Sequence, residues 1–315
     1  MLKINYYTIL YIQIRKNQEI LFTNTQKIGF FIMTLLFALA CCFCTAVNDL
    51  VFRLYARKSR SRGAYVLIIG LIWTSAFLLF LKFDFTFWQT TLFWGIVSGL
   101  FSVVANILLI EGMSHNDAGI CSTIYRLNLV VVAFGAFMLL GETITLIKVL
   151  GILFALTAVF MFFLDAPHGG HSSKAKLGFY LVGIAALLRA GMGLSYKYAF
   201  MQGVDRNSLL VLNGVLWIIG GAVYTIYREK HLGEKFGKKS WRYGAVSGLL
   251  VCGIVLFMAL ALQHGDAAVV LPLAQMSFIA TCGLGILFLK EKLSLKKALG
   301  ILAGILCIIC MSIAA

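Results

Sequence analysis

The chain has 315 residues, of which 61% are apolar and only 12% charged, with a mean hydropathy of +0.94. A soluble domain carries about 25% charged residues, so this chain could not cover a water-facing surface and lipid must be its solvent. The net charge of +15 does not indicate a nucleic-acid binder, because the basic residues lie in short clusters between apolar runs, where they set membrane orientation.

Residues 1–32 read as a polar N-terminal extension, and Met33, which opens the first apolar run, is a candidate native start. A membrane-spanning helix needs about 20 mostly apolar residues. In chain order, ten spans are predicted, over 31–52, 64–81, 89–111, 117–140, 146–164, 177–200, 207–227, 243–263, 267–289 and 297–314. The fold class expected is an all-α membrane protein of ten transmembrane helices, arranged as two inverted five-helix repeats. Helices one to five fill a first repeat over 33–164, and helices six to ten a second over 177–315. A linker over 165–176 carries Pro167 and Gly169-Gly170. Most other connections are short, which makes neighbouring helices antiparallel.

Counting basic residues at or beyond the span ends gives 17 on one face, around the ends of helices one, five, seven and nine, and 7 on the other. The positive-inside rule makes the first face cytoplasmic and leaves both termini outside.

The duplication is visible without a motif. A shift of 149 residues lays Gly95-Ile96-Val97-Ser98-Gly99-Leu100 on Gly244-Ala245-Val246-Ser247-Gly248-Leu249. The same shift lays His115-Asn116-Asp117-Ala118 on His264-Gly265-Asp266-Ala267, Glu142 on Glu291 and Lys148 on Lys297. Apolar helices share Leu and Ile by chance, but agreement of Glu, Lys, His and Asp at one offset needs a common origin. Because five is odd, the second copy enters the membrane from the opposite side. Inverted copies give two near-equivalent arrangements with a solute site at their interface.

Leu139-Leu140-Gly141-Glu142-x-x-x-Leu146 followed by Gly151, and Leu289-Lys290-Glu291-x-x-x-Leu295 followed by Gly300, resemble the paired signature of EamA-type transporters in the drug/metabolite transporter superfamily. The resemblance runs from about Met33 to Ile313. It implies ten helices, a central cavity, and export or exchange of metabolites, without naming the substrate. Family members often carry a proline in helix four or nine; here Pro272 supplies it in helix nine, and Thr123 stands at the equivalent place in helix four.

Charges within spans are the informative exceptions, since one at mid-helix costs about 2.5–3.5 kcal/mol on insertion scales. Arg126 lies closest to a helix centre, with Arg189 and Lys197 on helix six. Each is either a substrate-binding cation or a structural ion pair, and Lys197 could also snorkel to an interface. Asp49 and Glu111 are the coupling candidates, because a proton-coupled carrier needs an internal carboxylate; the alternative is a structural role, as partner of Arg53 or of a helix end. Tyr125, Asn128, Tyr196, Trp217 and Gln275 complete the candidate substrate site, and Asn106 and Asn213 are further polar groups within spans. Pro272 frees a carbonyl one turn earlier and is a candidate hinge.

Glu142 and Glu291 stand where helices begin and suit helix N-terminal amides, and Asp117 and Asp266 read as N-caps. The eight cysteines all lie in apolar segments and act as small hydrophobes. Neither Cys41-Cys42-x-Cys44 nor His168-Gly-Gly-His171 completes a metal site. No cofactor, metal or nucleic acid is therefore expected. The expected partners are the bilayer, a small-molecule substrate and a proton or other coupling ion.

The function expected is secondary transport of a small organic anion or zwitterion, such as an amino acid or a sugar-derived compound, by alternating access. Arg126 orients the substrate, helped by Lys197 or Arg189. The expected location is a bacterial cytoplasmic membrane. The alternatives are an integral-membrane enzyme, for which no H-E-x-x-H or G-x-S-x-G motif is present, and a receptor or assembly factor that transports nothing.

Overall fold

A computed structural model of the chain describes residues 32–52, 54–55, 61–80, 82, 84, 86–115, 121, 124–165, 173–229, 238–277, 279–280 and 293–314. Numbered in chain order, its helices are α1 (Ile32–Phe52), α2 (Arg62–Phe80), α3 (Trp88–His115), α4 (Asn128–Leu140), α5 (Leu146–Asp165), α6 (Ser173–Met201), α7 (Arg206–Tyr224), α8 (Lys238–His264), α9 (Ala267–Gln275) and α10 (Leu295–Ala314). A π turn over Thr225–Glu229 extends α7.

Among the described residues eight helical stretches are long and apolar enough to cross a membrane, and a shorter apolar helix covers Ile124–Leu140. The two departures from ten full spans fall at the fourth and ninth. Of the predicted span 117–140, residues 117–120 and 122–123 lie outside the described residues. Of 267–289, so do 278 and 281–289. At the other end of the scale, α6 and α8 begin four and five residues before their predicted apolar runs. Backbone hydrogen bonding carries a helix past the hydrocarbon, where lysine stems can snorkel to water.

Large apolar side chains point outward all along the bundle, as at Leu79, Phe80, Phe134, Leu187 and Leu249. In water such a belt would drive aggregation; in lipid it is the solvated surface. Small residues do the inner packing. The backbones of α2 and α7 touch: a Cβ added to Gly221 would lie 2.5 Å from Leu67 N, and one added to Gly70 would lie 2.7 Å from Ile218 N. Lipid offers no hydrophobic drive for helix pairing, so close approach at glycine supplies the van der Waals contact instead.

The same contacts give direction. Along α2 and α7, Gly63 meets Thr225, Gly70 meets Ile218 and Thr74 meets Gly214, so the two helices run antiparallel. Helices α5 and α10 are also antiparallel, with Gly151 against Met311 and Gly300 against Phe162. One contact is made twice: Gly95 and Gly99 of α3 receive Leu212 and Leu216 of α7, while Gly244 and Gly248 of α8 receive Ile68 and Ile72 of α2. The glycines are related by the shift of 149. The second helices need a different one, since 217 − 73 for Trp217 and Trp73, and 214 − 70 for Gly214 and Gly70, both give 144.

Candidate functional site

Helices α4 and α9 are broken at the same place. At Leu127 the backbone N–H turns to the Ile124 carbonyl (3.0 Å) and Val130 N–H to the Leu127 carbonyl (3.1 Å). At Met276, 149 residues later, the N–H turns to the Leu273 carbonyl (3.1 Å) and Ile279 N–H to the Met276 carbonyl (3.0 Å). Each break withdraws the usual i+4 donor from the preceding carbonyl, that of Arg126 or Gln275. In hydrocarbon such a group must find another partner. Gln275 finds one in Arg126, whose Nη1 donates to the Gln275 carbonyl at 2.6 Å. Gln275 is the ninth residue of α9, roughly 12 Å along the helix axis from its start, a little under half the thickness of a hydrocarbon core of about 30 Å.

Arg126 is well partnered. It also donates to Ser277 Oγ at 3.3 Å and pairs with Asp49 Oδ2 of α1 at 3.4 Å, its own side chain being 12% exposed. Two of the predicted site residues, Arg126 and Asp49, are thus brought together, and Gln275 joins them through its main chain. Tyr125 is half-buried within electrostatic reach of Arg189, Arg126 and Asp49.

A cavity of about 30 Å³ opens beside this contact, enough to hold water. Helix α1 lines it with Cys41 and Thr45, α4 with Asn128 and Val132, and α6 with Arg189 and Met192. Met258 of α8 and Leu271, Ala274 and Gln275 of α9 close it. Three predicted site residues, Asn128, Arg189 and Gln275, therefore share one chamber. Thr45 and Arg189 are equivalent under the shift of 144. Sequence reading missed Thr45 because its hydroxyl, bonded to the Cys41 carbonyl at 2.7 Å, looks like any threonine in an apolar helix.

The remaining candidates are placed elsewhere. Lys197 Nζ donates to the Leu262 and Gly265 carbonyls at 3.1 and 2.7 Å, at the C-terminal end of α8, where a cation meets the negative helix end. Tyr196 donates to Asn213 Oδ1 at 2.9 Å, and Trp217 Nε1 to Ser102 Oγ at 2.9 Å, both in the packed core. Asn106 donates to the Ser102 carbonyl one turn back. Glu111 accepts from Tyr224 at 2.6 Å and pairs with Arg228 at 3.2 Å, joining α3 to the end of α7.

Carboxylates tie the halves together at both ends of the bundle. Glu142 accepts from the N–H groups of Ala267 (2.7 Å) and Ala268 (3.0 Å), so the helix start it serves is that of α9, in the other half, and not the adjacent α5. Gly141, at φ 67°, makes the left-handed turn that lets the chain reverse there. Asp266 holds the N-cap position of α9, but its side chain makes no cap bond. It pairs instead with Lys148 at 2.5 Å, and Lys148 also donates to the Thr143 carbonyl. At the opposite end, the buried Glu229 accepts from Ser61 Oγ and from the N–H groups of Arg62 (2.5 Å) and Gly63 (2.8 Å) at the start of α2. Among the described residues no group of three or more His, Cys, Asp or Glu could hold a metal ion. Glu291, Asp117, His168 and His171 lie outside the described residues.

The model of the EamA-like transporter family matches the chain twice, over residues 32–164 and 176–313. A protein of Sinorhizobium sp named as an uncharacterized transporter is 41% identical over 63 residues, which is 20% of this chain and 45% of that protein. An uncharacterized protein of Methanocaldococcus jannaschii is 40% identical over 76 residues, 24% of this chain and 56% of its own. The chain thus spans about half the length of these curated relatives. A crystal structure described only as that of a protein superposes with a TM-score of 0.71 at 12% identity, over 90% of this chain and 97% of its own, and so shares the fold.

Proposed function

Because the chain belongs to the EamA-like transporter family, we propose that it is a secondary carrier of a small organic anion or zwitterion, working by alternating access in a bacterial cytoplasmic membrane. The observation that carries this reading is the contact between Arg126 and Gln275 across two equivalent helix breaks. Broken helices at mid-membrane expose polar backbone only where it lines a cavity or meets a partner, and repeat interfaces are where carriers bind solute.

Residues 33–164 and 177–315 act as the two moving copies, joined by 165–176. The glycine seam of α2 and α7, whose backbones touch, is the fulcrum. The Glu142 and Lys148 contacts to the start of α9 close one end and release when the copies rock. Asp49 serves coupling: protonating it removes the negative charge paired with Arg126 and frees the guanidinium charge for a substrate anion. The small chamber fits a state closed at both ends.

Counterflow of labelled metabolites through purified protein in lipid vesicles tests the reading. The expected result is saturable exchange that Arg126→Ala abolishes. Exchange of every wild-type substrate unchanged in that variant would sink it.

A further inference from the structure

Two hydrogen-bond donors in the chamber are left without an adequate acceptor. Arg189 is half-buried and its guanidinium makes one described contact, from Nη1 to Met192 Sδ at 3.4 Å. A thioether is a weak acceptor, and among the described residues no carboxylate pairs with Arg189. The second donor is Asn128 Nδ2, in a side chain 1% exposed, which has no partner. Buried polar groups are nearly always satisfied, and exceptions call for an explanation such as an absent ligand. Arg126, by contrast, is engaged by Asp49 and the Gln275 carbonyl.

Resting on the carrier reading, we propose that the chamber binds a small monocarboxylate with an apolar tail, held by Arg189 and Asn128. A planar guanidinium presents two parallel N–H groups that match the two oxygens of a carboxylate, and the Asn128 amide supplies a further donor. One cation balances one negative charge, which disfavours a phosphate dianion. Among the described residues no carboxylate lines the chamber, so none of them neutralises the ammonium of a zwitterion. Val132, Met192, Met258 and Leu271 supply the apolar wall; the closed chamber, at about 30 Å³, has no room for the tail, which is seated only when the copies part and the two methionines reshape around it. Asn128 stands on α4, one residue past the break at Leu127, and Arg189 on α6 in the other copy. A carboxylate between them would bridge the copies and so link occupancy to closure.

The test uses 4-methylpentanoate as probe against its neutral amide, leucine and isopentyl phosphate. Thermal stabilisation of the purified protein and counterflow in vesicles are both measured. The acid is expected to stabilise the wild type and its three analogues to do so far less. Arg189→Gln should weaken binding of the acid by about tenfold or more, the range for a charge-assisted pair, while Arg189→Lys retains part of it. If Arg189→Gln fails to fold, the acid-to-amide comparison in the wild type still decides. Equal stabilisation by the amide, preference for leucine or the phosphate, no binding of the acid, or full binding in Arg189→Gln each overturns the proposal. Exchange of other solutes that ignores Arg189→Gln leaves the carrier reading standing and removes this site. Binding of the acid without exchange of any solute does the reverse.

Discussion

Trp73 and Trp217 cross edge to face with ring centroids 5.8 Å apart, at equivalent places in the two copies, and among the described residues only one of them finds an acceptor for its indole N–H. Trp217 Nε1 donates to Ser102 Oγ, whereas Trp73 Nε1 is buried without a partner. The duplication explains the difference. Ser102 is matched 149 positions later by Val251, and α8 packs on α2 as α3 packs on α7. Valine accepts nothing.

Val251→Thr should therefore stabilise the protein by about 1 kcal/mol, the net worth of a typical hydrogen bond. The new hydroxyl can donate to the Ser247 carbonyl one turn back and accept from Trp73. Thermal unfolding in detergent would register a higher midpoint. A lower one would show that Val251 does not face Trp73.

The seam of α2 and α7 should tolerate no side chain. Gly221→Leu drives carbon into the Leu67 backbone, which has no rotamer with which to yield. The expected cost is at least the roughly 1–3 kcal/mol of core overpacking, read as lost folded yield and a lower melting midpoint. Gly183, with nothing within 4 Å of an added Cβ, is the control: Gly183→Ala should be neutral or stabilising by up to about 1 kcal/mol.

Asp49 and Arg126 should be energetically coupled. Arg126→Ala leaves a carboxylate and the Gln275 carbonyl without their donor, while Asp49→Asn removes the charge of the pair. In a double-mutant cycle an interaction of about 0.5–3 kcal/mol is expected in unfolding free energy. Additive effects would mean the pair contributes nothing. Exchange in vesicles should fall in both single variants and stay low in the double.

Glu142→Gln and Glu229→Gln each weaken charge-assisted bonds to a helix start in the other half. Each should cost about 1–3 kcal/mol, and their effects should add, because they act at opposite ends of the bundle. The first should also open the end at which α9 begins. Labelling of a cysteine introduced at Thr143, in a background without other cysteines, by a membrane-impermeant thiol reagent should then quicken. An unchanged rate would show that this end is held shut by something else.

Much of the architecture was legible because the signals are local or periodic. Hydropathy marks a span by its own residues, and eight such stretches are present among the described residues. The duplication survived at Glu142, Lys148, Asp266 and the Gly95 and Gly244 pairs because it needs one offset and no knowledge of contacts. Buried charge singled out Arg126, Arg189 and Asp49 for the same reason. What could not be read was which of them met. Arg126 and Asp49 are 77 residues apart, and nothing near Arg189 in the chain announces that it has no carboxylate partner among the described residues. Glu142 looked like a cap for the helix that follows it; the reversal at Gly141 sends it to another.

By itself the sequence determined the solvent of this protein, the order and length of most of its helices, and its descent from a duplicated unit. These follow from composition and from covalent repetition, which need no fold to exist. The tertiary structure alone decided that Arg126 is neutralised and bonded at the centre, that Lys197 serves a helix end, and that Arg189 and Asn128 are left as the open donors of the chamber. Pairing between charges depends on distances of a few ångströms between helices remote in the chain, and only packing sets those distances.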